Sequence, residues 1–212
     1  MVKIFIAHKE NGKEQTVKEH LFETAELSSQ FAKKIGLTKM GYLSGLLHDL
    51  GKYSDEFYNR IVNNGEKCDH STAGAQMIAK LFNEIDLKNK NAICEILELI
   101  ILSHHSGLID EVDFNGSTPR INRLTKEIHL NDILKNADKE ILEKANDFVG
   151  IDLFNEFNSV LQIIANNSEK SKSVFQFYLT LLTKFMFSCL VDADRKNTIY
   201  YKKLVNELKI DK

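Results

Sequence analysis

The segment Met40-Gly-Tyr-Leu-Ser-Gly-Leu-Leu-His-Asp-Leu-Gly-Lys-Tyr53 joins an apolar run to a polar terminus. Its composition predicts a short helix over Met40–Leu50, stopped by Gly51. His48 and Asp49 close that helix, where its end meets the core. Burying an imidazole and a carboxylate there is costly unless each is paired or coordinates a metal. Adjacent helical positions differ by about 100°, so both side chains can border one inward cavity. A carboxylate placed between two ions can bridge them.

The flanking sequence repeats this design. Val17, Leu21, Ala25, Leu27 and Phe31 follow a near-helical spacing over Glu14–Lys34, which ends at Gly36. A third helix begins after Asp69 or Ser71 and runs to about Asp86, with the small stretch Ala73-Gly74-Ala75 suited to close packing. Lys88–Ser103 is a fourth, and Gly107, Gly116 and Pro119 mark Ser106–Pro119 as irregular. Further helices are expected at about Arg120–His129, Asp132–Val149, Asp152–Ala165, Ser173–Arg195 and Thr198–Leu208. Lys3–Ala7 is the one β-like run, a short strand or an extended arm. No repeat or linker composition interrupts the chain, so the expectation is an all-α fold in one domain over residues 1–212.

The bulk composition narrows the function. The chain has 212 residues, 43% hydrophobic and 27% charged, with a single proline. These values exclude wholesale disorder and collagen-like repeats. The net charge is −2, from 28 Lys and Arg against 30 Asp and Glu. A protein that grips nucleic acid by side chains alone usually carries a basic excess. Nucleic acid would here be held through local patches, a partner or bound cations. Cys68, Cys94 and Cys189 are odd in number and lack CxxC spacing, as expected of reduced thiols in a cytoplasmic protein. Met1–Ala7 is too short for the apolar region of an export signal. Val174–Val191 is interrupted by Gln176 and Lys184 and reads as a buried central helix rather than a bilayer span.

Six of the seven histidines lie in the first half of the chain. His20 is on the first helix, His48-Asp49 ends the second, His70 precedes the third and His104-His105 ends the fourth. Late in the chain, the long apolar segment ends in Leu190-Val-Asp-Ala-Asp-Arg195. Each is weak alone, but together polar ligand-type residues terminate apolar helices that converge on a core. Imidazole and carboxylate without thiolate suit Mn, Fe, Co or Ni better than structural zinc. Gly45–Tyr53 is not a P-loop, because five residues rather than four separate its glycines and Tyr53 stands where Ser or Thr would bind magnesium.

The ordered set His20, His48-Asp49 and Asp194 resembles the H…HD…D signature of the HD superfamily of metal-dependent phosphohydrolases. Gly-Leu-Leu-His-Asp-Leu-Gly-Lys-Tyr, Asp-His-Ser-Thr-Ala-Gly-Ala, Ser-His-His-Ser-Gly and Val-Asp-Ala-Asp-Arg together resemble the CRISPR-associated HD nuclease of type I interference systems. The resemblance covers about residues 5–198. It implies a compact helical HD bundle and a nuclease that cuts single-stranded DNA, usually with two divalent ions, Mn, Co, Ni or Fe, or else Mg. Carried over by position, His20, His48, Asp49 and Asp194 correspond to one metal site. His70, His104 and His105, with Asp49 bridging, correspond to the other. Asp194 is preferred because the family motif places its ligand directly before the Arg. Asp192 lies about 200° away on a helix, so only one of the two can face the cavity.

Two ions about 3.5–4 Å apart can activate a water and clamp the attacking and leaving oxygens of an in-line displacement. Asp49 and Lys52 are the expected catalytic residues, Lys52 supplying positive charge from the cavity rim. His8 resembles an N-terminal family histidine that could support the ligands; Asp69 is expected to cap a helix, and His129 to lie at the surface. The aromatic helix Phe175–Phe187 is expected in the core rather than as a base-stacking platform. The resemblance further implies a helicase, on the same or a separate chain, and an RNA-guided surveillance complex as partners, with no membrane. Two other readings are a phosphohydrolase of nucleotides or nucleotide second messengers, and an inactive docking module. A closed pocket would favour the first of these, and missing ligands the second.

Overall fold

The computed structural model describes residues 3–10 and 12–210, with side chains through residue 203. Among the described residues the chain forms ten α-helices and one small hairpin, so the expected all-α class holds. The hairpin pairs β1 (Ile6–Glu10) with β2 (Lys13–Thr16) antiparallel. Gly12 takes the left-handed conformation that its tight turn requires, φ +79°. Because residues 14–16 pair with β1, the first helix starts later than its periodicity indicates, at Val17. Thr16 and Glu19 form a capping box that sets this start: the Thr16 side chain accepts from the Glu19 amide, and the Glu19 side chain accepts from the Thr16 amide.

The helices are α1 (Val17–Ala32), α2 (Thr38–Leu47), α3 (Asp55–Asn63), α4 (Thr72–Asn83), α5 (Lys90–Ser103), α6 (Pro119–Leu124), α7 (Leu130–Asn136), α8 (Lys139–Phe148), α9 (Ile151–Asn167) and α10 (Lys172–Ile210). The central element is α2, every residue of which from Met40 to Leu47 is buried. It touches α1, α4, α5, α8, α9 and α10. That enclosure demands small residues at the crossings. A Cβ at Gly74 on α4 would lie 1.9 Å from the Leu47 carbonyl oxygen at the end of α2. The Ala73-Gly74-Ala75 stretch therefore lets α4 lie against α2, bringing the start of one helix beside the end of the other.

Three expectations for the chain's second half are corrected. Asp132–Val149 is two helices rather than one, because Ala137 is extended (ψ 143°). Tyr53 stabilises the break: its hydroxyl donates to Asp138 at 2.7 Å and its carbonyl accepts from the Asn136 amide at 3.1 Å. The segments predicted at Ser173–Arg195 and Thr198–Leu208 are one helix, α10, which runs straight through Lys196-Asn197. Nor is α10 a buried central helix. Leu182, Met186, Cys189, Leu190 and Ala193 pack into the core, while Phe177 is 60% exposed and Tyr178, Leu181 and Phe185 are also open. Tyr178, Leu181 and Phe185 with Val160, Ile163 and Ile164 of α9 line an apolar groove of about 520 Å³. Lys172–Lys203 is long and apolar enough to cross a membrane by length and composition, although little of its apolar part is buried. Helix α3, which carries one buried side chain, Phe57, has no counterpart in the sequence expectation.

Candidate metal centre

The C-terminal ends of α2 and α5, the first turn of α1, the middle of α10 and the loop before α4 meet in one place. His20 lies on the inward face of α1 with Val17, Leu21 and Thr24. His48 is the C-cap of α2, and its Nδ1 donates to the Gly45 carbonyl at 2.8 Å. Asp49 leaves helical geometry (φ −116°, ψ 26°) and starts a 3₁₀ turn, Leu50–Tyr53. Such a turn brings residues three apart into line. Lys52 Nζ accordingly reaches Asp49 Oδ2 at 2.8 Å. Lys52 is thus buried against Asp49 rather than placed on the cavity rim as expected.

His70 is brought in by the loop before α4. The Gly51 amide donates to the His70 carbonyl at 3.0 Å, and a Cβ at Gly51 would lie 2.5 Å from that oxygen. Only glycine allows so close an approach, so the turn after Asp49 and the loop carrying His70 are tied together. His104 caps α5 with His105 beside it, and Asp194 enters from α10. Asp192 is exposed on the opposite face, near Lys34, Cys189 and Lys196.

The result is two groups around one carboxylate. Asp49 Oδ2 lies 3.2 Å from His20 Nε2 and 3.3 Å from His48 Nε2. Asp194 Oδ1 is 3.5 Å and 3.7 Å from the same two nitrogens. Asp49 Oδ1 lies 3.3, 3.5 and 3.8 Å from Nε2 of His104, His70 and His105. Within each group, one ligand-type atom per residue falls within 4.8 Å of all the others. His20, His48, Asp49, His70, His104, His105 and Asp194 are all brought together.

Three of the imidazoles share one orientation. His48, His70 and His104 each direct Nδ1 at a backbone carbonyl, those of Gly45, Cys68 and Ile101. A carbonyl only accepts, so Nδ1 carries the proton and Nε2 turns toward Asp49. The lone pairs thereby converge: His20 Nε2 is 3.2 Å from His48 Nε2, and His70 Nε2 is 2.7 Å from His105 Nε2. Facing acceptors repel unless a proton or a cation lies between them. Asp49 Oδ1 and His104 Nε2 are buried without a hydrogen-bond partner. Orphaned acceptors in a set of nitrogen and oxygen donors fit divalent cations of the Mn, Fe, Co or Ni kind.

The protonation states agree for all but His48, which is charged in the metal-free protein, so its Nε2 carries a proton that a bound cation would displace. Burial opposes ionisation of Asp49, but the charges of His48 and Lys52 outweigh it and hold the carboxyl well below its usual range. Asp194 is lowered in the same way, its burial outweighed by the bond to His48. Burial also works against a charged His48, yet Asp49 and Asp194 raise it to about 10. His20 and His70 are lowered by burial. Burial and neighbouring His104 lower His105 to about 4. These last three rings are therefore neutral lone-pair donors at neutral pH.

Around the cluster, His8 is half-buried, with its ring 4.9 Å from that of His20 and its Nε2 buried and unpartnered. Asp69 accepts from the Thr72 amide at 3.2 Å, a capping contact, and does not bond His70. Two supports were not singled out in the sequence. His20 Nδ1 lies 2.7 Å from Oδ1 of buried Asn197. Asn197 sits one turn after Asp194 on the same helix face, the only local signal for it. Arg123 donates to the Thr72 hydroxyl (3.0 Å), the Leu102 carbonyl (2.6 Å), Asp69 (3.0 Å) and the Ser71 hydroxyl (2.6 Å). It joins the segments that carry His70 and His104, and no local pattern announces it.

Comparison with curated proteins finds no match. Among protein families, the one described as HD domain matches residues 17–144. That span carries His20, His48, Asp49, Lys52, His70, His104 and His105, and Asp194 lies beyond it.

Proposed function

Since the chain belongs to the HD-domain family, the HD superfamily of metal-dependent phosphohydrolases, we propose that it is the nuclease that cuts single-stranded DNA in type I CRISPR interference. Its partners in this reading are a helicase, which supplies the single strand, and an RNA-guided surveillance complex, all in the cytoplasm. The observation that supports it most is the position of Asp49, whose two oxygens serve two separate groups of nitrogen donors. A shared carboxylate suits a binuclear centre, the usual arrangement for in-line phosphodiester displacement. The four motif matches favour the DNA-cleaving branch over the nucleotide-hydrolysing ones.

In this reading His20, His48, Asp49 and Asp194 hold one cation, and His70, His104, His105 and Asp49 hold the other. When bound, such ions supply Lewis acidity and lower the pKa of water. The chain's own residues do the rest. Buried Nδ1 bonds keep the rings in a fixed orientation and tautomer, so no reorganisation is needed as charge develops. Lys52 holds Asp49 by a charged hydrogen bond and adds positive charge beside the centre. His105, 51% exposed, marks the side open to solvent, by which a polymer chain can approach. The divalent ions also answer the charge balance of −2, making the local potential positive within a slightly acidic protein.

The test is cleavage of single-stranded DNA, duplex DNA and nucleotides with Mn²⁺, Co²⁺ or Ni²⁺. Single strands should be degraded much faster than duplex, and nucleotides should neither be consumed nor compete. Equal rates on single and double strands, or preferential release of phosphate from nucleotides, would overturn the reading.

A further inference from the structure

We propose that Asn197 is a positioning residue that locks His20 in the tautomer with the proton on Nδ1, and that Glu23 and Gln15 fix Asn197 for this task. The importance of that lock for metal binding rests on the reading of His20 as a ligand.

His20 differs from its partners. His48, His70 and His104 meet backbone carbonyls, which cannot donate, so their tautomers are decided by chemistry alone. His20 instead meets a side-chain amide, with Asn197 Oδ1 at 2.7 Å. An amide can present either end. Turned one way, it accepts from Nδ1–H and leaves the Nε2 lone pair facing Asp49 and His48. Turned the other way, it donates to Nδ1, which moves the ring proton to Nε2. There it would point at Asp49 Oδ2, 3.2 Å away, and fill the space a cation needs.

The surroundings choose the first orientation. Asn197 Nδ2 donates to Glu23 Oε2, and a carboxylate accepts only. Gln15 Nε2 also donates to Glu23 Oε2, at 2.9 Å, and to Asn197 Oδ1, at 3.1 Å. A flipped Asn197 would set its NH₂ against that of Gln15 and its oxygen against Glu23. Asn197 is 3% exposed and Gln15 4%, so water does not reach the clash of the two amides, while Glu23 stands at the exposed end of the arrangement. The chain of contacts runs from Glu23 on α1 through Asn197 on α10 back to His20 on α1. Asp194 and Asn197 lie three residues apart on α10, so one face of that helix presents a carboxylate and orients a neighbouring imidazole together. Partners of this kind typically change metal affinity about 10–100-fold when removed.

The test begins with metal-free protein carrying ¹⁵N-labelled histidine. In the wild type, two-bond ¹H–¹⁵N correlations at neutral pH should show His20 protonated on Nδ1 and bare at Nε2. Asn197→Leu should move the proton to Nε2 or produce a mixture, with His104 unchanged as a control for folding. Glu23→Ala, which leaves Asn197 in place, should shift His20 in the same direction. The double exchange Glu23→Gln with Asn197→Asp swaps donor and acceptor and should restore the Nδ1–H form. Mn²⁺ calorimetry on the same proteins should then show an affinity loss of about 10–100-fold for one site in Asn197→Leu, recovered in the double variant. An unchanged His20 tautomer in both single variants overturns the proposal, as does a switched tautomer with unaltered Mn²⁺ affinity. If wild-type protein binds no Mn²⁺ while the tautomer still switches, the metal reading fails and the control of His20 by Asn197 stands.

Discussion

The two groups around Asp49 are built differently. His20, His48 and Asp194 come from α1, α2 and α10, and the two rings have no exposure. His70 and His105 come from a loop and from the residue after a helix cap, and His105 is 51% exposed. The first group is held by helices packed through the core, so its geometry follows from burial. The second is held by specific links, namely the Gly51–His70 backbone contact and the Arg123 clamp. Burial provides rigidity, while the looser side provides access. A centre that holds cations and, as proposed, admits a polymer chain would need one of each.

The largest test of this contrast removes what the groups share. Asp49→Ala should abolish Mn²⁺ binding at both, read as no heat in calorimetry, with the helical circular dichroism retained. One remaining tight ion would show that the groups are independent. Next in size is Arg120, which donates to buried Glu98 of α5 at 2.6 Å and forks onto Glu111 in the loop after His105. Arg120→Ala leaves Glu98 buried and unpaired and should cost about 3–5 kcal/mol in urea unfolding. Glu111 is 58% exposed, so Glu111→Ala should cost no more than about 1 kcal/mol. A similar cost for the two would mean that the loop side is held by its surface ions.

Arg123→Ala should separate the groups. It breaks the link between the His70 and His104 segments, so the affinity of the second group should fall about 10–100-fold while the first stays unchanged. Equal losses in a two-site calorimetric fit would break the comparison. The smallest effect belongs to Asp192→Ala, which should leave metal affinity and cleavage within error of the wild type. That residue is exposed and faces away from the cluster that Asp194 enters.

Much of this architecture could be read before any coordinates. The all-α class follows from periodicity and from the scarcity of strand patterns. The cluster residues announce themselves because polar side chains at the ends of apolar helices cannot be left unpaired. Helix α3 also carries a legible signal, with Ser54 as its cap, Asp55 and Glu56 in the first turn and Phe57 and Ile61 one turn apart. Only its nine-residue length and polar average hid it. Other features depend on contacts distant in sequence. The break at Ala137 depends on Tyr53, which lies more than eighty residues earlier. The open face of α10 is as apolar as its packed face, and composition cannot say which half of a greasy helix meets the core. Lys52 looks like a free helix-end cation until the 3₁₀ turn folds it back on Asp49.

The amino-acid order alone determined which side chains would be costly to bury and placed His48 and His104 at helix ends, because that depends only on residue type and periodicity, whereas Asp194 stands inside α10 rather than at its end. The preference for Asp194 over Asp192 came from the family motif, with helical phase allowing only one of the two to face inward, and the packing of α10 against α1 and α2 turns Asp194 to the cluster. The sharing of Asp49 between two groups was already expected from the family resemblance, whereas tertiary structure alone decided the burial of Lys52 and the recruitment of Asn197 and Arg123. Those depend on where separate segments cross, and a hydrogen bond at 3 Å is set by the crossing of helices, not by the spacing of letters along the chain.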